Sequence, residues 1–366
     1  MSKRLPSKSK RLRFCLIQSP CLGKGFEYTQ MEEETTVTKV SRIAASVLLT
    51  AALAVTVSGC GSSQTQTPGS STPGQQTETK AEYAVVLKVL SSPFWQSMRD
   101  GILEEAEKQG IKVDIYAANS EDDVEGQVTL LENAINKGYK AIGVAPISAD
   151  NLVPAVAEAS KKGIYVINID EKLNLESLKG LGGAVQAFVS TDNKAVGRTG
   201  AQYIIDRIGG SGQVAIIEGK AGAASGEDRK AGATEAFLKA GVELVESQPA
   251  DWDRTKAYDL ATNYIAKYPD LKGIYACNDT MAMGALEAVK NAGKDIVVVG
   301  TDGNEDAVAS VKAGELAATV AQDPAQIGRR GVQLMIEAVK AGKAIDPNAA
   351  PAMESVDAIL ITKDAN

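Results

Sequence analysis

The stretch AEYAVVLKVLSSPFWQSMRDGILEEAEKQG, residues 81–110, decides how the rest of the chain reads. Residues 83–90 form an apolar, β-branched run, and the polar pair Ser91-Ser92 breaks it. Pro93 then opens a helical pattern to about Gln109, with Gly110 beyond its end. Proline in a first helical turn loses no bonded amide, and glycine past the last turn accepts the left-handed conformation that ends a helix. Strand, short loop and helix in that order are the unit of an open α/β sheet.

The same alternation continues downstream. Candidate strands are 112–116, 141–145, 164–169, 213–217, 242–247, 273–277 and 296–300. Amphipathic stretches separate them. In residues 253–268, Ala257, Leu260, Ala261 and Tyr264 fall at i, i+3, i+4 and i+7, one face of a helix. Strands alternating with helices predict parallel sheets covered on both faces. One series lies before about Thr191 and one after it, each large enough for its own core. The expected fold is α/β, with two similar doubly wound parallel-sheet lobes. Ligands of such sheets sit outside the carboxyl ends of the strands.

Upstream the composition changes abruptly. Lys39 and Arg42 precede an apolar run from Ile43 to Val57, and Ser58-Gly59 leads into Cys60. Residues 39–60 thus have the layout of a secretory signal, and the run is short beside the roughly 20 apolar residues of a membrane span. Val57-Ser58-Gly59-Cys60 resembles the lipobox of bacterial lipoproteins, which implies acylation of Cys60 as the mature N-terminus. An uncleaved membrane anchor is the alternative. Residues 61–80 lack any large apolar side chain and read as a disordered tether. Residues 1–38 carry Glu32, Glu33 and Glu34, which do not fit a positive signal leader, so this segment reads as a mis-annotated extension with a true start at Met31 or Val37.

Composition narrows the chemistry. The net charge of −7 argues against nucleic acid, which needs a basic face. The 366 residues contain no histidine, so the commonest general base and metal ligand is absent. Of Cys15, Cys21, Cys60 and Cys277, only Cys277 lies in the expected folded body, leaving neither a disulfide framework nor a metal pair there. Cys277 is expected to be a small buried residue near a strand end.

Polar and aromatic residues gather after the candidate strands. Lys88 and Ser92-Pro93-Phe94-Trp95 follow the first strand, and Asp170-Glu171-Lys172 the fourth. In the second series come Lys220 and Arg229, Asp251-Trp252-Asp253, Asn278-Asp279, Asp302 and Gln322. Both tryptophans of the chain belong to this set. A sugar presents hydroxyls around an apolar CH face; carboxylates, amides and guanidinium match the first, flat rings the second. Blander roles exist for each residue. Asp253 and Asp279 suit helix N-caps, Asp302 in Thr-Asp-Gly suits a turn, and the tryptophans suit a core.

Seven stretches carry a family resemblance: AEYAVVLKVLSSPFW (81–95), KKGIYVINIDEK (161–172), VAIIEGKAGAASGE (214–227), SQPADWDR (247–254), NDTMAMGA (278–285), VVVGTDG (297–303) and ATVAQDPAQIG (318–328). Residues 81–362 resemble the ribose-binding-like class of periplasmic sugar-binding proteins, and within it the allose-binding branch. The resemblance implies ligand contacts from Lys88, Ser92, Phe94, Trp95, Asp170, Arg229, Trp252, Asn278, Asp302 and Gln322. It implies a first lobe of 81–190 plus 324–352 and a second of 191–323 plus 353–366, joined by a three-crossing hinge that closes on the ligand. It further implies an ABC permease and its ATPase as partners, a monomer, no cofactor and no metal. Two positions depart from the family pattern: Ser92 and Ala223 each stand where the family has asparagine. D-allose or a related sugar or polyol, including ribose and inositol, is therefore the expected ligand.

Rival readings share parts of this pattern. A transcription regulator of the same fold needs a basic headpiece where this chain has a signal and tether. A dinucleotide enzyme needs G-x-G-x-x-G after a strand, which Gly209-Gly210-Ser211-Gly212 does not provide, and EGKAGAASG lacks P-loop spacing. Asp170 and Asp302 could form an acid–base pair in a sugar-modifying enzyme. A ligand-presenting receptor for chemotaxis or signalling differs only in its partner.

Overall fold

The computed structural model describes residues 81–364. The extension, the signal, Cys60 and the tether lie outside the described residues. The first series runs β1 (Tyr83–Leu87), α1 (Pro93–Lys108), β2 (Val113–Ala117), α2 (Val124–Lys137), β3 (Ala141–Val144), α3 (Val153–Lys161), β4 (Tyr165–Ile169), α4 (Leu175–Gly180) and β5 (Ala187–Thr191). The second runs α5 (Asn193–Arg207), β6 (Gln213–Glu218), α6 (Ala224–Ala240), β7 (Glu243–Pro249), α7 (Arg254–Lys267), β8 (Leu271–Ala276), α8 (Asp279–Asn291), β9 (Val297–Asp302), α9 (Glu305–Ala313) and β10 (Ala318–Ala321). The chain ends with α10 (Pro324–Ala341), β11 (Ala352–Val356) and β12 (Ile359–Thr362).

These strands form two six-stranded sheets, ordered β11-β5-β4-β3-β1-β2 and β12-β10-β9-β8-β6-β7. The two orders correspond position by position, so the lobes are alike in topology. Strand β1 shows why the chain takes this form. Its five residues are all buried. Tyr83, Val85 and Leu87 pack on one face with Met98, Ile102 and Met335, whereas Ala84 and Val86 pack on the other with Leu131 and Val156. A strand apolar on both faces needs helices on both, which βα alternation provides.

Helices begin where local chemistry dictates. Asp123, Asp253 and Asp323 accept the amides of Gly126, Lys256 and Gln326 as N-caps. Pro93 opens α1, as its sequence predicts. Cys277 is fully buried one residue beyond β8, and burial pushes its thiol up to about 12, so it is inert as a nucleophile.

The chain crosses between sheets after β5, after β10 and after β11. The last crossing differs from expectation. Residues 352–356 pair in parallel with β5, so the passage to the second sheet comes after Val356, not at 352–353. β12 then pairs antiparallel with β10, the one antiparallel pairing among the described strands. The reason is geometric. The chain leaves the first sheet at its carboxyl edge and, with no helix to reverse it, enters the second from that sheet's carboxyl edge.

Candidate ligand-binding site

The carboxyl ends of the two sheets face one cavity of about 520 Å³, within the range that small-molecule pockets occupy. Nine residues singled out from sequence line it: Lys88, Ser92, Phe94, Trp95, Asp170, Arg229, Trp252, Asn278 and Asp302. The tenth, Gln322, stands behind the wall, and its Nε2 donates to Asp302 Oδ1 at 2.7 Å.

Each lobe contributes one aromatic wall. Phe94 and Trp95 occupy the first turn of α1 with their rings edge-to-face, centroids 5.2 Å apart. Trp95 is only 4% exposed and belongs to the first lobe's core, with the Lys88 ammonium 5.6 Å from its ring centroid. Trp252 lies on the loop between β7 and α7, half-buried. Its indole rests against the β6–α6 loop, where a Cβ on Gly219 would lie 2.0 Å from the ring. Only glycine admits the ring there. The Arg229 guanidinium lies 6.0 Å from the indole centroid, within cation–π reach.

Polar groups converge between the walls. Asp170 follows β4 and Asp302 ends β9, and these strands hold corresponding places in the two sheets. Asp170 Oδ1 and Gln322 Oε1 are buried without a partner among the described residues. A buried acceptor left unpaired costs about 1–3 kcal/mol, so the Asp170 oxygen, on a residue that lines the cavity, is fitted to a donor from a ligand. Burial pushes the Asp170 carboxyl up to about 7, Glu171 adding repulsion against the pull of Lys88 and Arg229. Burial likewise pushes Asp302 up to about 6, opposed by Arg229 and by Gln322. Arg229 gives Nε to Asn193 at 2.8 Å, and Nη1 to the Cys277 carbonyl at 2.7 Å and to Asp302 at 3.4 Å. Helix α6 comes close enough for this because Gly197 of α5 has no Cβ; one would lie 2.0 Å from the Arg229 carbonyl oxygen.

The backbone is strained at the same place. Among the described residues, the non-glycine residues with positive φ are Asp170 (60°), Asp251 (54°), Trp252 (65°) and Asp302 (122°), and all four line the cavity. For a bulky residue such as Trp252 this is an outlier. Strain of about 1–3 kcal/mol per residue persists where surrounding structure enforces it, and it clusters at functional sites.

Several blander roles apply as well. Asn278 caps α8 through Oδ1, which accepts the Met281 amide at 2.8 Å, yet the residue still lines the cavity. Asp279 is not the cap. Fully buried, it accepts the amides of Gly303 and Asn304 and the Thr319 hydroxyl, and so anchors the loop that aims Asp302. Asp253 does cap α7, but it also lines the cavity. Ala223, the second departure from the family pattern, is buried and not part of the lining.

The structure adds residues that sequence reasoning passed over. Ser225 lines the cavity from the start of α6, and Glu171 lies behind Lys88, bonded to its ammonium at 2.7 Å. Burial opposes the charge on Lys88, but Glu171, Glu121 and Asp170 together outweigh it and hold the ammonium above its usual range. Glu171 sits in the Asp170-Glu171-Lys172 motif; only its burial distinguishes it from a solvated neighbour. Among the described residues no cluster suits a metal ion, and no helix is long and apolar enough to cross a membrane.

Two α/β lobes, three crossings and a polar cavity walled by aromatic rings define the class of two-lobed solute-binding proteins. The chain belongs to the periplasmic binding protein domain family, whose signature matches residues 83–344. It is 56% identical over 287 residues to the D-allose-binding periplasmic protein of Escherichia coli, covering 77% of this chain and 92% of that protein. It is 37% identical to a ribose import binding protein of Bacillus subtilis, covering 68% and 79%. Among solved structures, a periplasmic solute-binding protein of an ABC transporter from Actinobacillus succinogenes, with bound D-allose, superposes with a TM-score of 0.72 at 33% identity, covering 78% of this chain and 98% of that one. A Caulobacter myo-inositol-binding protein superposes at 0.69 with 30% identity, covering 76% and 92%.

Proposed function

We propose that this chain is the extracytoplasmic substrate-binding component of an ABC sugar importer. It takes up D-allose or a closely related monosaccharide between its lobes and delivers it to the permease and ATPase. The observation that carries this reading is the convergence of both tryptophans, Asp170, Arg229 and Asp302 from separate lobes on one cavity. Asp170 Oδ1, lacking a protein donor, accepts a sugar hydroxyl. Arg229 donates to the ring or anomeric oxygen, and Asn278 supplies its amide nitrogen. Phe94, Trp95 and Trp252 cover the CH faces. Both ends of each hydroxyl dipole are thereby matched while water is excluded. The 56% identity to a D-allose-binding protein favours allose within this ligand class.

We further propose that Cys60 is lipidated and that residues 61–80 tether a monomeric binding domain to the outer face of the cytoplasmic membrane. Replacing Cys60 by alanine should release the protein from the membrane fraction. A ligand-presenting receptor would use the same site with a different partner, and neighbouring permease and ATPase genes separate the two.

A thermal-shift screen over aldohexoses, pentoses and polyols tests the sugar. A ligand at about 100 times its Kd should stabilise the fold by about 2.7 kcal/mol. Recovery of the sugar unchanged is expected, and its conversion would favour an enzyme. No stabilisation by any sugar or polyol would remove the proposal.

A further inference from the structure

Glu171 is fully buried and outside the cavity lining, yet it joins the lobes. It follows β4 of the first lobe. Its Oε2 accepts the Lys88 ammonium of the same lobe at 2.7 Å. Across the cleft, Ser225 of the second lobe donates twice: its amide to Oε1 and its hydroxyl to Oε2, both at 2.7 Å.

The partner site follows from the sequence of α6. The residue before this helix is Ala223, which has no side-chain oxygen and makes no cap. The first amides of a helix have no acceptor within it, and the aligned peptide dipoles favour negative charge there. The Ser225 amide is one of these, and a carboxylate from the opposite lobe caps it. When the lobes part, the Glu171–Lys88 pair travels with the first lobe and α6 loses its cap. The bond therefore exists only in the closed form.

We infer that Glu171 and Ser225 form a cross-cleft clamp that sets how long the lobes stay closed, acting on ligand retention without Glu171 touching the ligand. Lys88 and Trp95 complete the device. The ammonium neutralises the buried carboxylate and lies over the Trp95 ring, so the clamp and the first aromatic wall are mechanically joined. Two further contacts join the lobes: Lys220 bonds the Glu121 carbonyl at 2.5 Å and the Asp122 carboxylate, and the Ala149 amide donates to the Gly222 carbonyl at 3.3 Å. Asp122 is exposed, and exposed pairs contribute little. Gly222 is exposed as well, so the Glu171–Ser225 clamp is the buried one of the three. Specificity and retention thereby rest on different contacts: residues facing the cavity choose the sugar, and Glu171 behind them holds the lobes together through Ser225 of the lining.

This inference rests on the proposed sugar-binding role, but one arm of its test does not. Dyes placed on each lobe report the open and closed populations by single-molecule energy transfer in the ligand-free protein. Stopped-flow release reports retention of the sugar found in the thermal screen. Ser225→Ala removes the hydroxyl bond and keeps the helix amide. It should lower the ligand-free closed-to-open ratio about fivefold and speed release by a similar factor, as expected for one net hydrogen bond, while association changes less than twofold. Glu171→Gln should move both readouts further in the same direction. In the double variant the effects should be less than additive, because both changes break one link. If Glu171→Gln folds poorly, Ser225→Ala alone decides. Populations and release rates that match the wild type would overturn the clamp. So would faster release with unchanged ligand-free populations, because Ser225 would then act only by touching the sugar. A wild type that binds no sugar would defeat the proposed function, and the ligand-free populations would still judge the clamp.

Discussion

The two lobes share a strand order but build their aromatic walls differently. Phe94 and Trp95 are part of a helix and of the first lobe's core; folding that core places them. Trp252 sits on a loop with φ at 65°, its ring held against Gly219 and facing Arg229. The first wall is inherited from packing, whereas the second is assembled at the cost of backbone strain. One fold thus reaches a shaped site by two routes: extending a core outward, or bending a loop inward.

This comparison is open to direct attack. The largest effect should come from Trp95→Ala, which removes a core side chain and a wall together. It should lower unfolding free energy by about 3–5 kcal/mol, the usual range for a large aromatic in a core, and abolish measurable sugar binding. Denaturant melts and calorimetry measure the two losses. Stability unchanged to within about 1 kcal/mol would show that this wall is not part of the core.

Trp252→Ala should separate the two properties. Sugar affinity should fall about 10- to 100-fold, in line with losing an anchor worth about 2 kcal/mol, while stability changes less than in Trp95→Ala because the Trp252 ring is only half-buried. Gly219→Ala should act in the same direction, since its methyl group meets the indole and not the ligand. An unaltered affinity in both variants would break the assignment of the second wall.

The paired carboxylates predict a pH effect. Burial raises Asp170 to about 7 and Asp302 to about 6, against roughly 3.9 for an unfolded aspartate. Between about pH 4 and pH 7 the folded state therefore binds more protons than the unfolded one, so unliganded stability should decline as pH rises through that window. A sugar hydroxyl donating to Asp170 favours the charged carboxylate. Binding should then release protons near pH 6.5, and affinity should increase from pH 5 to pH 8. Calorimetry in buffers of different ionisation enthalpy counts the protons. Proton uptake on binding would reverse the sign.

Ser92→Asn should have the smallest effect, because it restores the family's residue at the rim of the first wall. One added hydrogen bond, or one lost contact, amounts to about 0.5–1.5 kcal/mol, so affinities for allose, ribose and inositol should shift by about tenfold or less. Their order is the informative readout.

Much of the site is legible in the amino-acid sequence. In an open α/β sheet the residues following each strand must face the ligand side, so strands such as 83–87 and 165–169 are enough to flag Lys88, Trp95 and Asp170. The second half yields Trp252 and Asp302 by the same logic. Gln322 follows its strand as expected but stands one layer behind the lining, because hydrogen bonding behind Asp302 leaves no trace in sequence. Edge strands β11 and β12 escape sequence reading for a related reason. They are short and only partly buried, so their apolar pattern is weak, and pairing with β5 and β10 is what makes them strands.

Sequence alone determined the period of strands and helices, the Asp253 cap, the absence of histidine and the chemistry at the strand ends, because each depends on residues close together in the chain. Only the tertiary structure decided that Glu171 meets Ser225, that Asp279 holds the loop of Asp302, and that Asp170 and Asp302 share one cavity. Those pairs are separated by tens to more than a hundred residues. Burial and charge at such places arise when two sheets bring distant carboxyl ends together and exclude water.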